Sequence, residues 1–125
     1  MARVMVVDDE PIVGSRLRPI LERAGLEVEV FLDAVAAHAR LGECRFDVLV
    51  TDLRMPGVDG LQLLERALEH NARVRVLLIT AFATPELKRG VLARGAFECI
   101  AKPFRIGDLR DAVLRAAEAS AAGEE

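Results

Sequence analysis

The stretch FDVLVTDLRMPGVDG, residues 46–60, carries the pattern that decides the fold. Its first six residues are rich in apolar and β-branched side chains, which predicts a short buried strand over residues 46–51. The run stops at Asp52, and Pro56 and Gly57 predict a tight turn before the next helical segment. A buried strand that ends on an acid and a turn is therefore the unit to look for elsewhere in the chain.

Four more runs of this kind occur, and segments of helical periodicity separate them. The five predicted strands cover residues 3–7, 26–32, 46–51, 74–79 and 97–101. The second run alternates apolar residues with Glu27 and Glu29, which is typical of an edge strand rather than a central one. Strands that alternate with helices favour an α/β fold in which one doubly wound parallel sheet is covered by helices on both faces.

Residues at the ends of the helical segments support this interpretation. Thr84, Pro85 and Glu86 predict a helix start, and Gly25 and Gly95 lie where glycine typically ends a helix.

Two helices carry further expectations. Pro19 is predicted to kink the helix over residues 11–24, and the last helix is expected over residues 106–119. Asp33 and Asp108 are interpreted as helix caps.

Composition limits the class of protein. A chain of 125 residues that is 52% hydrophobic and 30% charged fits a single domain, here predicted over residues 1–119, with residues 120–125 as a tail or the start of a linker. A net charge of −3 gives no basic surface for nucleic acid. No apolar run approaches the roughly 18 to 20 residues of a membrane span, and acids interrupt the N-terminal run at Asp8, so a cytoplasmic protein is expected.

The sequence contains two cysteines, Cys44 and Cys99, which do not form a CxxC pair. Because a cytoplasmic domain of this size needs no covalent link between its elements, both are expected to be reduced thiols.

Polar side chains follow four of the five predicted strands. They are Asp8 and Asp9 after the first strand, Asp52 after the third, Thr80 after the fourth and Lys102 after the fifth. Because the carboxyl ends of parallel strands meet at one edge of the sheet, these side chains are expected to converge there. Two simpler interpretations stay open: Asp8 or Asp9 alone fits a helix cap, and Thr80 alone fits a hydrogen-bonded hydroxyl at a strand end.

Lys102 stands out because this chain otherwise uses arginine. Of its 17 basic residues only Lys88 and Lys102 are lysines. An ammonium group is a slender point charge that fits where a planar guanidinium does not, so a lysine beside three acids is interpreted as functional. Lys88 is expected to be a solvated helix residue.

Three carboxylates that share one site repel each other, and a hard divalent cation relieves that repulsion. Mg²⁺ is bound by oxygen ligands and leaves room for phosphate oxygens, which suits Asp8, Asp9 and Asp52. His38 and His70 are expected to be solvated surface residues rather than zinc ligands. An aspartate beside Mg²⁺ and a lysine can attack phosphorus, and Asp52 is the best candidate for this nucleophile.

These residues lie in segments that resemble the receiver domain of two-component response regulators over residues 3–118. The matching segments, in order and spacing, are VVDDEP at 6–11, VTDLRMPGVDG at 50–60, LLITAF at 77–82 and GAFECIAKPF at 95–104. The resemblance implies a flavodoxin-like receiver fold, a single (βα)5 domain with strand order 2-1-3-4-5.

The resemblance also implies a role for each residue at the sheet edge. It makes Asp52 the phosphoacceptor, Asp9 a direct Mg²⁺ ligand, Asp8 a ligand through water, Arg54 a metal ligand by its backbone carbonyl, Thr80 a contact to the phosphoryl oxygen, and Lys102 the ion-pair partner of that group. It further implies a cis peptide between Lys102 and Pro103.

One position departs from the family. Three residues before the lysine, receivers usually carry a tyrosine or phenylalanine that moves inward on activation, and here the residue is Cys99. The expected readout therefore shifts to the loop over residues 80–85. Phe97 is expected to share the strand parity of Cys99 without reaching the same space.

The leading hypothesis is a signalling module, not an enzyme, that accepts a phosphoryl group from a histidine kinase or phosphotransfer protein and switches its surface. A homodimer or an effector is expected to bind the face formed by the fourth helix, fifth strand and fifth helix.

Two alternative functions have specific sequence requirements that this chain does not meet. A Mg²⁺-dependent phosphohydrolase would need a general acid two residues beyond Asp52, where Arg54 stands. Flavin binding would need a phosphate loop after the first strand, where DDEP repels phosphate.

Overall fold

The computed structural model describes residues 2–122, in which five strands alternate with five helices. The strands are β1 (Arg3–Val7), β2 (Glu27–Phe31), β3 (Val48–Asp52), β4 (Arg75–Thr80) and β5 (Glu98–Ala101). The helices are α1 (Pro11–Arg23), α2 (Ala34–Leu41), α3 (Gly60–His70), α4 (Pro85–Ala93) and α5 (Ile106–Ala122). All five predicted strands are confirmed, with boundaries that shift by at most two residues.

The strands form one parallel sheet in the order β2-β1-β3-β4-β5, as expected. β3, at the centre, is buried along its whole length. β2 lies at one edge, as its alternating sequence predicted, and Glu27 there is exposed. The other acid of β2, Glu29, binds Arg40 of α2 at 3.0 Å, and the hydrogen bond from Arg40 lowers the pKa of the Glu29 carboxyl.

Two hydrophobic cores cover the two faces of the sheet. Residues that alternate along each strand point to opposite faces, so Met5 and Leu49 belong to one core while Val4 and Val48 belong to the other. Helices α2, α3 and α4 pack on the first face, and α1 and α5 pack on the second. This packing leaves the carboxyl edge of the sheet free for polar side chains.

The helix ends follow the expected chemistry in most places. The carboxylate of Asp33 caps α2, the hydroxyl of Thr84 caps α4, and Gly25 and Gly95 adopt positive φ where α1 and α4 end. The prediction that Asp108 is a cap is wrong. Asp108 lies inside the first turn of α5, where its negative charge interacts favourably with the helix dipole but its position is not that of a cap.

Two of the helices differ from expectation or leave it open. α5 continues three residues past its predicted end at residue 119, and Ser120 is buried against the fold. Residues 123–125 of the predicted tail lie outside the described residues, and the domain boundary at residue 119 stays a prediction. Pro19 lies inside α1, and the kink there also stays a prediction. Within residues 2–122, no helix is long and apolar enough to cross a bilayer.

Gly60 gives a prediction about how α3 docks beside the end of β3. A Cβ atom at Gly60 would lie 2.6 Å from the backbone oxygen of Asp52. We expect Gly60→Ala to lower the free energy of unfolding by about 1–3 kcal/mol through overpacking. The matched control is Gly90→Ala in α4, where a Cβ meets nothing within 4 Å and is expected to stabilise the helix by about 0.5–1 kcal/mol. Urea denaturation of both variants measures this, and an equal effect of the two substitutions would contradict the packing described.

Candidate functional site

The carboxyl edge of the sheet brings the predicted acids together. Asp52 is the last residue of β3, and Asp8 and Asp9 follow the neighbouring strand β1. One carboxylate oxygen of each residue lies within 4.8 Å of the others. Asp8 and Asp52 are buried, while Asp9 is exposed to solvent. The predicted convergence of these three acids is therefore what the structure shows, and we call this group the acidic cluster.

Asp8 shows the electrostatic cost of this arrangement most clearly. Its Oδ1 accepts a hydrogen bond of 2.8 Å from the backbone nitrogen of Glu10, while its Oδ2 is buried without a partner among residues 2–122. Burial raises the pKa of the Asp8 carboxyl above its ordinary value, and the charge of Asp52 adds to the shift. The Glu10 hydrogen bond and the Lys102 charge oppose it only in part. A buried carboxylate oxygen without a partner is a feature that a cation would satisfy.

The simpler interpretation of Asp8 and Asp9 as helix caps does not hold. The N-cap residue of α1 is Glu10, and its side chain makes no capping hydrogen bond.

Lys102 supplies the positive charge in the site. Its Nζ donates a hydrogen bond of 2.8 Å to Oδ2 of Asp52 and lies 3.8 Å from Oε1 of Glu10. Burial lowers the pKa of the Lys102 ammonium, but the hydrogen bond and charge of Asp52, with the charges of Asp8 and Glu10, outweigh burial and raise that pKa. The amine is therefore held in its charged form against the acids.

The backbone holds Lys102 in this position. The Lys102 nitrogen donates to the carbonyl of Thr80 at 2.9 Å, which ties the end of β5 to the end of β4. The peptide between Lys102 and Pro103 is cis, as the family resemblance implied.

Thr80 ends β4 at the same edge and is buried. Its Oγ1 accepts a hydrogen bond of 3.1 Å from the backbone nitrogen of Phe82. An accepted bond uses a lone pair and leaves the hydroxyl proton available to an acceptor in the site. The interpretation of Thr80 as a hydrogen-bonded hydroxyl at a strand end is thus correct, and its role toward a phosphoryl group stays a prediction.

The loop after β3 begins directly after Asp52 of the acidic cluster. Its path is held by hydrogen bonds from the Leu53 nitrogen to the Ile79 carbonyl at 2.8 Å and from the Gly60 nitrogen to the Leu53 carbonyl at 2.9 Å. Gly57 has φ of +82°, which only glycine adopts without strain. The Arg54 side chain is exposed, and the expected role of its backbone carbonyl stays a prediction.

Two contacts in the site were not predicted from the sequence. Glu10 approaches Lys102, and the Phe82 nitrogen binds Thr80. The DDE run at residues 8–10 could have indicated Glu10, but a backbone hydrogen bond within a loop leaves no signal in the sequence.

The two cysteines and Phe97 pack in or against the hydrophobic cores. Both cysteines are unpaired, as predicted, and burial raises the pKa of the Cys99 thiol. The expectation that Phe97 shares the parity of Cys99 within the strand is wrong, because β5 begins at Glu98. Phe97 packs against the core of α1 and α5, whereas Cys99 belongs to the core of α2, α3 and α4.

Of the three residues expected to be solvated, two are exposed and His38 is more buried than expected. Lys88 and His70 are exposed, and His38 is half-buried on α2.

Comparison with known proteins gives the class to which this fold and site belong. A family model described as the response regulator receiver domain matches residues 4–114. The response regulator receiver protein CpdR of Brucella abortus is 34% identical over 109 residues, which cover 87% of this chain and 91% of CpdR. The chain belongs to the receiver domain family and is a receiver of two-component signal transduction.

Longer relatives contain the same unit. The C4-dicarboxylate transport transcriptional regulatory protein DctD of Pseudomonas aeruginosa is 36% identical over 118 residues, 93% of this chain but 25% of DctD. The chain therefore spans about a quarter of that relative.

Solved structures agree with the fold. A CheY-like receiver domain from Methanospirillum hungatei superposes with a TM-score of 0.88 at 26% identity, covering 99% of both chains. The beryllofluoride-activated NtrC4 receiver domain dimer superposes with a TM-score of 0.86 at 30% identity, covering 96% of this chain and 99% of the solved receiver-domain chain.

The buried carboxylate of Asp8 gives a prediction about stability. The pKa of the Asp8 carboxyl is higher in the folded chain than its ordinary value of 3.8 in the unfolded chain. Between these two pKa values the folded chain binds more protons than the unfolded chain. The free energy of unfolding therefore falls as the pH rises from one pKa to the other. Asp8→Asn is therefore expected to raise the free energy of unfolding at pH 7, in chelator, by on the order of 1 kcal/mol.

The pH series provides the check on Asp8→Asn. The gain should disappear as the pH falls below the ordinary value, where the Asp8 carboxyl is protonated in both states. Asp111→Asn, at an exposed residue that pairs with Arg110, is the control and should change little. A loss of stability in Asp8→Asn at pH 7 would show that the electrostatic account of the acidic cluster is wrong.

Proposed function

We propose that Asp52 accepts a phosphoryl group from the phosphohistidine of a histidine kinase or phosphotransfer protein. The observation that carries this proposal is the 2.8 Å hydrogen bond between Asp52 Oδ2 and Lys102 Nζ within the acidic cluster. Of the three clustered acids, Asp52 is the one that binds this amine directly.

The chemistry needs a nucleophile and groups that stabilise negative charge. A carboxylate oxygen of Asp52 attacks phosphorus, an O–P bond forms, and the P–N bond to the donor imidazole breaks. The leaving imidazole keeps the electron pair of that bond and takes up a proton. Lys102 donates to the transferred phosphoryl group in place of Asp52, and the free hydroxyl proton of Thr80 binds a second phosphoryl oxygen.

The acidic cluster fits Mg²⁺. Its ligands would be Asp9 and Asp52 directly, Asp8 through water, and the backbone carbonyl of Arg54. All of these are the hard oxygen donors that Mg²⁺ prefers. The unpartnered Oδ2 of Asp8 supports this assignment. When bound, Mg²⁺ neutralises the charge that the carboxylates and the phosphoryl group bring together.

A cavity beside Lys102 supports docking of the donor. It has a volume of about 660 Å³, and apolar side chains including Ile12, Val13, Phe104 and Ile106 line it. An amphipathic helix that carries the donor histidine fits a groove of this composition. The donor, like the site, is expected in the cytoplasm.

The output of the switch is a protein surface rather than a product. We propose that a homodimer or an effector binds the face formed by α4, β5 and α5, and the NtrC4 receiver is itself a dimer. The net charge of −3 argues against nucleic acid binding by this chain.

The phosphohydrolase alternative is less well supported. Its general acid would stand at Arg54, which carries no carboxyl group, and the receiver family match favours signalling. One relative is an enzyme, a protein-glutamate methylesterase/protein-glutamine glutaminase of Anaeromyxobacter dehalogenans. The match to this chain covers only 30% of the length of that enzyme.

The two lysines of the chain allow a matched test of the site. Lys102→Arg keeps the charge but replaces the point donor with a planar guanidinium, and we expect phosphorylation by acetyl phosphate with Mg²⁺ to slow by at least about tenfold. Lys88→Arg, on the exposed face of α4, should leave the rate unchanged. Equal rates in the two variants would remove the role proposed for Lys102.

A further inference from the structure

Thr51 places a hydroxyl group on a buried face of the central strand β3. The residue is 0% exposed, and its neighbours in the sheet are Val7 of β1 and Leu78 of β4, both members of a hydrophobic core. Because side chains alternate along a strand, Thr51 points to the same face as Leu49, which α2, α3 and α4 cover. The hydroxyl therefore lies among apolar side chains, where it costs free energy unless it is hydrogen-bonded.

The Thr51 hydroxyl binds the backbone next to it. Its Oγ1 donates a hydrogen bond of 2.9 Å to the carbonyl oxygen of Asp52. On the other side of the same peptide group, the nitrogen of Leu53 donates to the carbonyl of Ile79 at 2.8 Å. The peptide group between Asp52 and Leu53 is thus held through both its oxygen and its nitrogen.

The start of α3 packs closely on this peptide group. A Cβ atom at Gly60 would lie 2.6 Å from the carbonyl oxygen of Asp52 and 2.9 Å from the Cα atom of Leu53. The Gly60 nitrogen also donates to the Leu53 carbonyl at 2.9 Å. The backbone of α3 therefore limits the space on one side of the peptide, while the Thr51 hydroxyl supplies an attractive contact to its oxygen.

The direction of this peptide group matters to two parts of the site. Asp52, whose Oδ2 accepts the 2.8 Å hydrogen bond from Lys102, precedes it. Arg54, whose backbone carbonyl is a proposed metal ligand, lies just beyond it. Rotation of the peptide changes the ψ angle of Asp52, and the backbone angles of a residue decide which side-chain rotamers it adopts.

We propose that Thr51 is a positioning residue for the Asp52 carboxylate. By holding the carbonyl of Asp52, its hydroxyl fixes the direction in which the carboxylate points toward Lys102 and the direction in which the chain continues to Arg54. Thr51 acts through the backbone and takes no part in the transfer itself. The inference rests on the proposed function, in which Asp52 is the nucleophile, and small displacements of a reacting group are costly.

Two substitutions separate the hydroxyl of Thr51 from its shape. Thr51→Val keeps the shape and removes the hydroxyl, so the lost hydrogen bond is offset by the relief of a buried polar group. Thr51→Ser keeps the hydroxyl and removes a buried methyl group, which leaves a cavity. We therefore expect the urea midpoint to fall more in Thr51→Ser than in Thr51→Val.

The affinity for beryllofluoride, a phosphoryl mimic, is expected to follow the opposite order. It is measured with Mg²⁺ present by the ¹⁹F resonance of the bound group. Loss of a group that orients a ligand from behind typically weakens binding by at least about tenfold, and we expect this loss in Thr51→Val. Thr51→Ser should keep an affinity close to that of the original chain. A purely structural role would make affinity and stability change in the same order.

Three outcomes would overturn the role of Thr51. They are equal affinities in Thr51→Val and the original chain, equal weakening in Thr51→Val and Thr51→Ser, and a larger fall in the urea midpoint for Thr51→Val than for Thr51→Ser.

Asp52→Asn distinguishes a failure of this inference from a failure of the proposed function. A bound ¹⁹F signal that Asp52→Asn abolishes, together with equal affinities in Thr51→Val and the original chain, would overturn the role of Thr51 and leave the phosphoacceptor proposal intact. The absence of any bound signal in the original chain would overturn both.

Discussion

The site depends on the interaction between the ammonium group of Lys102 and the carboxylate of Asp52. One carboxylate oxygen of each of Asp8, Asp9 and Asp52 lies within 4.8 Å of the others. Without a nearby positive charge, the mutual repulsion of three carboxylates would favour their separation or the protonation of one of them. Lys102 offsets part of this repulsion through its 2.8 Å bond to Asp52, yet Asp8 keeps a raised pKa and an unpartnered oxygen. The compensation is incomplete, which supports the proposal that Mg²⁺ binds beside these acids.

The parallel sheet makes this arrangement possible at low cost. Each functional residue lies at the end of a strand or just beyond it, and the strands are fixed by two hydrophobic cores away from the acids. The strands, the helices and the parallel sheet were predictable from the sequence because strand periodicity and helix ends are local patterns, whereas the strand order came from the family resemblance. The acidic cluster was predictable because the ends of parallel strands converge, whatever the details of the loops.

The errors and omissions arise where local patterns do not decide the outcome. An aspartate near a helix start fits either a cap or the first turn, and Asp108 takes the second position. The side to which Phe97 points depends on where β5 begins, which is one residue later than predicted. The bond from the Phe82 nitrogen to Thr80 depends on loop geometry alone, and it connects the site to α4. The contacts between the site and α4 are thus the part of this region least visible in the sequence.

The most direct test of the central claim is to identify the phosphorylated residue. After phosphorylation by acetyl phosphate with Mg²⁺, reduction by borohydride converts an aspartyl phosphate to homoserine, and mass spectrometry of the peptides locates it. The account predicts homoserine at position 52 and at no other aspartate, and its complete loss in Asp52→Asn. Homoserine at Asp8 or Asp9 in the original chain, or modification that persists in Asp52→Asn, would contradict the assignment of Asp52 as the phosphoacceptor.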